Sequence, residues 1–353
     1  MTDMALTPEM DPGLPADAGT GPPHEVLGPE DRRRRRRRLA ILAVLSALAV
    51  VLLVFSTWYL LFRKPISQLP LPGFDLPPMP AYSYSLYGMG QPTGIAVTPD
   101  GSRVYVTQTT GEDAVLMLDG QGQVIAALQS PDTTTDHVFV YVAISPINAE
   151  VYVSDRPAAD VLVFAPDGTF LRTFEPPASL VGWQPLGLNF TPDGHLFVTD
   201  LGANAVYEFD KDGQLLRTIG SNGMFNYPNA TVEDALGRLY VSDSNNGRLV
   251  VFGRTGEVLG VIRRGSAIGD LGIPRGLAID DRGLLYVVDN TDHSIKVYRT
   301  SADPVALPEF LGSFGEPGIG EGMFRFPNAV ATDTRGRLYV ADWNNDRVQV
   351  WTY

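Results

Sequence analysis

Two asparagines and an arginine occupy the same place in three similar stretches of the chain, each directly after a proline: "PNATV" from Pro228, "PRGLAI" from Pro274 and "PNAVA" from Pro327. Asn229, Arg275 and Asn328 thus bring two amides and a guanidinium to equivalent positions. Converged on one axis, such groups would hold a carboxylate, a phosphate or a sugar through directed N–H donors. The same place carries Thr93 in "PTGIAV", Leu186 in "PLGLNF" and, without a proline, Val140 in "FVYVAI". The ring of six is half apolar and half polar. The same groups would serve equally to bond channel waters and loop carbonyls.

A second set repeats more strictly. "VYVSD", "LFVTD", "LYVSD", "LYVVD" and "LYVAD" end on Asp155, Asp200, Asp243, Asp289 and Asp342, and the matching position in "VYVTQ" is Gln108. A ring of carboxylates invites a metal. Repetition argues instead for structural aspartates, each fixing its own tight turn. Arg248 and Arg347 close two of the same loops and are spaced to pair with Asp243 and Asp342. Trp183 ("VGWQP") and Trp343 ("DWNNDR") have no counterparts in other repeats, and Arg156 lies at the same end. They are either anchors for a sugar or peptide, as exposed aromatics often are, or packing between neighbouring loops.

The elements that must position these residues recur every 43 to 53 residues, measured between the matching Gln and Asp positions. Each unit offers an apolar strand, a second strand ending at that position, a third such as "RLVVF" and a fourth such as "QLLRTIG". Turns are marked by Asp100-Gly101, Asp193-Gly194, Leu236-Gly237, Arg282-Gly283 and Arg335-Gly336. Four strands per unit of this length predict propeller blades, because a lone four-stranded sheet cannot cover both of its faces. The fold class expected is all-β, a six-bladed β-propeller of four-stranded blades over residues 82–353, preceded by one transmembrane α-helix. The last unit stops after three strands at Tyr353, so "YSYSLYG", Tyr82 to Gly88, is expected to pair with "RVQVW" and complete that blade. Closure removes free strand edges.

These stretches also resemble a known family. "FRFPNAVATDTRGRLYVADWNNDRVQVW", Phe324 to Trp351, resembles an NHL repeat, and "PTGIAVTPDGSRVYVTQ" is similar to the related YVTN repeat. The resemblance covers about residues 82–353 and implies a six-bladed propeller. Propellers host both binders and enzymes, so it does not fix the function. Similar propellers that are amidating lyases hold zinc with histidines at the channel mouth. Here the histidines are His24, His137, His195 and His293, none at a post-proline position. Gluconolactonase-like propellers hold a divalent cation through a glutamate, asparagines and an aspartate. Asn229 and Asn328 would imitate the amides, with no acid after a proline beside them.

Before the propeller, residues 1–38 read as a disordered cytoplasmic tail ending in seven arginines, Arg32 to Arg38. Residues 39–62 are uncharged. As a helix they would extend roughly 36 Å, enough for a hydrocarbon core of about 30 Å. Trp58 and Tyr59 fall near the far end, where interfacial aromatics belong, and the arginines before the run place the N-terminus inside. The run is long for a cleaved signal, so an uncleaved anchor is expected. Residues 63–81 are a proline-rich stalk. The predominance of arginine over lysine suggests a bacterial source. Of 40 acids and 27 bases, eight acids and nine bases lie before residue 81, which leaves the rest of the chain at −14. Such a domain does not suit phosphate backbones, so no nucleic-acid partner is expected. With no cysteine, disulfides and thiol chemistry are excluded.

The reading is a single-pass, extracytoplasmic binding or sensor propeller for a protein, peptide or glycan at the cell envelope. It uses Thr93, Asn229, Arg275, Asn328, Trp183, Trp343 and Arg156. No cofactor or catalytic residue is assigned. The alternative is a metal-dependent hydrolase or lyase with a divalent cation in the channel.

Overall fold

The computed structural model describes residues 29–62, 79–110, 115–134, 136–220, 223–263 and 269–353. The tail up to residue 28 and the stalk up to residue 78 lie outside the described residues. The chain divides into two units, Met1–Phe62 and Arg63–Tyr353.

The first unit holds one helix, Pro29–Phe62. It starts ten residues before the apolar run, so the arginines expected in a disordered tail are helical. Arginine ranks among the better helix formers, and proline is tolerated in a first turn, where its missing N–H costs nothing. The stretch Arg36–Val54 has a mean hydropathy of 2.3, and the helix is long and apolar enough to cross a membrane.

The second unit is six antiparallel four-stranded sheets. Their first strands are Gly90–Val97, Phe139–Ile144, Pro185–Phe190, Pro228–Glu233, Pro274–Ile279 and Pro327–Thr332. Each lies beside the next, and the sixth lies beside the first, so these strands wall a central channel and the ring is closed. Closure runs as expected. Ala81–Leu86 pairs antiparallel with Arg347–Thr352, Tyr82 opposite Trp351 and Leu86 opposite Val348. The added strand is fastened by side chains too: Tyr82, Ser85 and Tyr87 all donate to the Glu321 carboxylate, which faces Arg347 at 3.5 Å.

Alternation in the strands gives each sheet two apolar faces, buried against the blades on either side. Blades five and six share one such layer: Val288, Ile295, Val297 and Phe314 pack on Phe324, Val330, Leu338 and Trp351. Residues two places after the strand-opening position form a collar of Gly94, Tyr141, Gly187, Ala230, Gly276 and Ala329. Small residues are required here because neighbouring blades approach backbone to backbone. A Cβ on Gly187 would stand 2.1 Å from the Asn229 carbonyl oxygen, and one on Gly276 2.6 Å from the Ala329 Cα. Tyr141 alone fills the layer. Its hydroxyl passes blade three and donates to Asn229 Oδ1 of blade four.

Candidate functional site

The repeated aspartates lie directly opposite the strand-opening residues: Asp155 across from Phe139, and Asp200, Asp243, Asp289 and Asp342 across from Pro185, Pro228, Pro274 and Pro327. All five are at most 1 % exposed. Each accepts backbone N–H groups from the loop entering its own blade, as Asp342 does from Arg325 at 2.7 Å and Asp243 from Asn226 at 2.7 Å. Gln108 takes the same place in blade one, accepting from Gly90 at 2.9 Å. Three of the carboxylates also bond a basic side chain, two of them an arginine and one a histidine. Arg248 reaches Asp243 at 2.7 Å, Arg347 reaches Asp342 at 2.9 Å, and His137 Nδ1 bonds Asp155. Burial pulls the His137 pKa down, but the Asp132 carbonyl at its other nitrogen and Asp155 outweigh this and raise it. These bonds occupy the carboxylate oxygens within the fold. Among the described residues no group of three or more His, Asp or Glu is arranged to hold a metal ion.

The post-proline residues open the same end of the channel, and they are not equivalent. Thr93 is buried, sharing a hydroxyl bond with Thr107 at 3.0 Å. Asn229 is 2 % exposed and receives Tyr141. Asn328 donates to the Thr93 carbonyl at 2.7 Å, joining blade six to blade one. The expected crescent of two amides around a guanidinium is thus largely spent on blade-to-blade bonds. Arg275 differs. Its guanidinium lies 5.5 Å from the Tyr227 ring centre. Its Nε is buried without a hydrogen-bond partner, and no ion pair of its side chain is found among the described residues. Burial pushes the Tyr141 phenol up, while the Arg275 charge nearby pulls it down.

The two tryptophans do not join that group. Trp183 packs at 5.9 Å on Tyr207 and 6.1 Å on Phe209, both in the third strand of blade three. Trp343 lies edge-on to Phe326 at 6.5 Å, with its indole N–H 3.5 Å from the Thr109 hydroxyl. Both rings are half-buried in contacts between loops and blades. Arg156 is exposed.

Two devices that hold this end together escaped the sequence reading. In blades one to four the residue before the repeated Gln or Asp is a hydroxyl: Thr107, Ser154, Thr199 and Ser242. Each accepts the backbone N–H of its own blade's collar residue, at 2.7 to 3.0 Å. Thr107, Ser154 and Thr199 also donate to a carbonyl of the next blade's inner strand, at 2.7 to 3.2 Å. Blades five and six have Val288 and Ala341 there. The strand spellings already contained this signal.

The second device is a set of clasps. Asn204, His293 and Asp346, at the ends of their blades' loops, take positive φ of 48°, 53° and 51°. Their side chains accept the backbone N–H of Tyr227, Phe326 and Gln91 at 2.9 Å each, and those residues also have positive φ, 61°, 55° and 47°. A bulky residue before proline resists that conformation, so each clasp offsets local strain. Ala159 and Gly247 fill the clasp position in blades two and four and offer no acceptor. There the next blade's amide, Gln184 or Ile273, bonds its own aspartate instead, at 2.5 and 3.2 Å.

A model of the NHL repeat matches residues 225–252, 271–298 and 324–351. The mouse "NHL repeat-containing protein 3" (Mus musculus) is 25% identical over 224 residues, which cover 60% of this chain and 50% of that protein. The human protein of the same name (Homo sapiens) is 29% identical over 223 residues with the same coverage. The chain spans about half the length of the curated relatives it matches. Among solved structures, a streptogramin B lyase superposes with a TM-score of 0.56 at 14% identity, over 76% of this chain and 96% of that one. Identity that low carries the fold alone. The three matched repeats are blades four to six, whose spelling is the most regular. The chain carries NHL repeats in three of the six blades of its β-propeller.

Proposed function

We propose that this propeller is a membrane-anchored, extracytoplasmic binding module that captures an anionic group of a protein, peptide or glycan at the channel mouth. The observation that carries the reading is Arg275. A guanidinium with a shielded, unpartnered Nε and an aromatic ring as its neighbour is costly to leave so, and a carboxylate or phosphate would satisfy it in a forked geometry. Thr93, Asn229 and Asn328 shape the mouth without reaching for the ligand, since their groups bond to the blades. Trp183, Trp343 and Arg156 form its outer surroundings. The hydrolase or lyase alternative would need the Asn229 amide oxygen as a ligand, and Tyr141 already donates to it.

The test uses the full chain in nanodiscs, titrated with glucuronate, acetate and inorganic phosphate. At least one anion is expected to bind, to weaken about tenfold in Arg275→Gln, and to bind Arg156→Gln unchanged. No binding by any of the three, or equal binding by the Arg275 variant, overturns the anion site. Topology is tested separately, because the chain has no cysteine of its own. An impermeant maleimide should label Ser130→Cys in intact cells and Thr20→Cys only after lysis. The reverse pattern overturns the placement.

A further inference from the structure

At the other ends of the same inner strands the channel widens into a cavity of about 530 Å³, lined by all six blades. That is the size of a small-molecule site. Aliphatic side chains, including Ile95, Val97, Leu277 and Ile279, line several of its blades. The exposed Pro192 and Asp281 stand at its mouth.

One sector is different. Asn189, at the end of blade three's inner strand, and Thr231 and Glu233, on blade four's, all line the cavity. Thr231 is 3 % exposed, and its hydroxyl has no hydrogen-bond partner. The Asn189 amide and the Glu233 carboxylate likewise have none among the described residues. Of the other acids of the lining, Asp234 pairs with Arg238 at 2.7 Å and Asp280 with Arg282 at 2.6 Å, while Asp281 stands exposed at the mouth. Arg217, the cation nearest Glu233 in effect, is spent on Glu208 and on the Arg254 carbonyl. His195 is bonded to Glu208 as well, at 2.8 Å. Burial holds the Glu233 carboxyl above its usual range, and the charges of Glu208 and Asp193 add to this.

We propose that this lower cavity is a second binding site, for a small amphipathic organic cation, an alkyl- or cycloalkylammonium, whose charge rests on Glu233 and whose N–H groups meet Thr231 and Asn189. The aliphatic wall takes the hydrocarbon body. The polar sector is a cation site because its single charge is negative and its neighbouring cations are engaged. The site differs from the Arg275 mouth in end of the channel, in sign of charge and in ligand, so the two stand or fall separately.

The probes are cyclohexylammonium, cyclohexanol and cyclohexanecarboxylate, titrated calorimetrically into the full chain in nanodiscs, with empty nanodiscs subtracted. The ammonium should bind, the carboxylate should not, and Glu233→Gln should weaken the ammonium about tenfold or more while leaving the alcohol within twofold. Thr231→Val keeps the shape and should weaken the ammonium severalfold. The proposal is overturned if the carboxylate binds as well as the ammonium, if neither the ammonium nor the alcohol binds, or if a folded Glu233→Gln binds the ammonium as wild type does.

Discussion

Asp342 offers the sharpest test of whether the repeated aspartates serve the fold. Its carboxylate is fully buried and receives the Arg325 N–H at 2.7 Å, Arg347 Nε at 2.9 Å, and the Asn345 and Gln349 amides at 2.8 Å each. Arg347 is itself 3 % exposed. Asp342→Ala strands that guanidinium in the interior, a loss of about 3–5 kcal/mol for a broken buried pair. In a domain of this size that lowers Tm by about 6–10 °C. Asp243→Ala should cost clearly less, because water reaches the Arg248 side chain, which is 26% exposed. Asp342→Ala/Arg347→Met should recover part of the loss but not all, since Arg347 also donates to the Gly320 and Met323 carbonyls. The assay is a thermal melt of each variant at one scan rate, read by intrinsic fluorescence. A well-folded Asp342→Ala within 1 °C of wild type would refute the reasoning, as would a double variant no more stable than the single one. Either result would return the aspartates to the list of ligand groups.

Three further outcomes follow from the same geometry. Gly187→Ala should destabilise by about 1–3 kcal/mol, because its Cβ meets the Asn229 carbonyl oxygen at 2.1 Å and blades three and four cannot separate freely; a denaturant midpoint equal to wild type would count against the collar. Deleting residues 81–86 leaves Arg347–Thr352 as a bare strand edge and should produce association on size-exclusion chromatography, where the monomer is expected for the intact chain. The raised His137 pKa stabilises the folded state fully below the ordinary histidine value of 6.5, and this contribution is lost as pH rises through the folded pKa. The excess in Tm of wild type over His137→Gln should therefore be larger at pH 6 than at pH 9, with Asp132, Asp155 and Asp160 the charged groups around the ring; an excess that grows with pH would contradict the assignment.

Sequence and structure agree wherever a period carried the information. The blade count, the partner of the closing strand and the facing of Asp243 and Asp342 by arginines follow from repeated spellings. What the period could not give depends on exceptions to it. Tyr141 stands where other repeats have glycine or alanine, and only the closed ring shows that it spans two blades to Asn229. Sequence left Asn328 and Asn229 open between ligand groups and loop bonds because their partners, the Thr93 carbonyl that accepts from Asn328 and the Tyr141 hydroxyl that donates to Asn229, lie 235 and 88 residues away. The tryptophans stood between two readings, ligand anchor or packing between loops, because local sequence does not say which neighbouring strand a loop leans on. Thr231 and Glu233 drew no notice, since a polar residue in an inner strand becomes meaningful only when the opposite walls are seen to be aliphatic.

The strand Ala81–Leu86 is the first piece of the propeller that the chain enters after the helix and the proline-rich segment, and it is also the outermost strand of the last blade. Were the helix held in a bilayer as proposed, any pull on the propeller would be carried through this one strand. The load falls on its ladder with Arg347–Thr352 and on the three hydroxyls gripping Glu321. Tether and closure are the same component, so mechanical tension acts first on the bond that keeps the ring shut. Single-molecule pulling from the N-terminus should then show the ring opening at a lower force in Glu321→Gln than in wild type, and equal forces would place the load elsewhere.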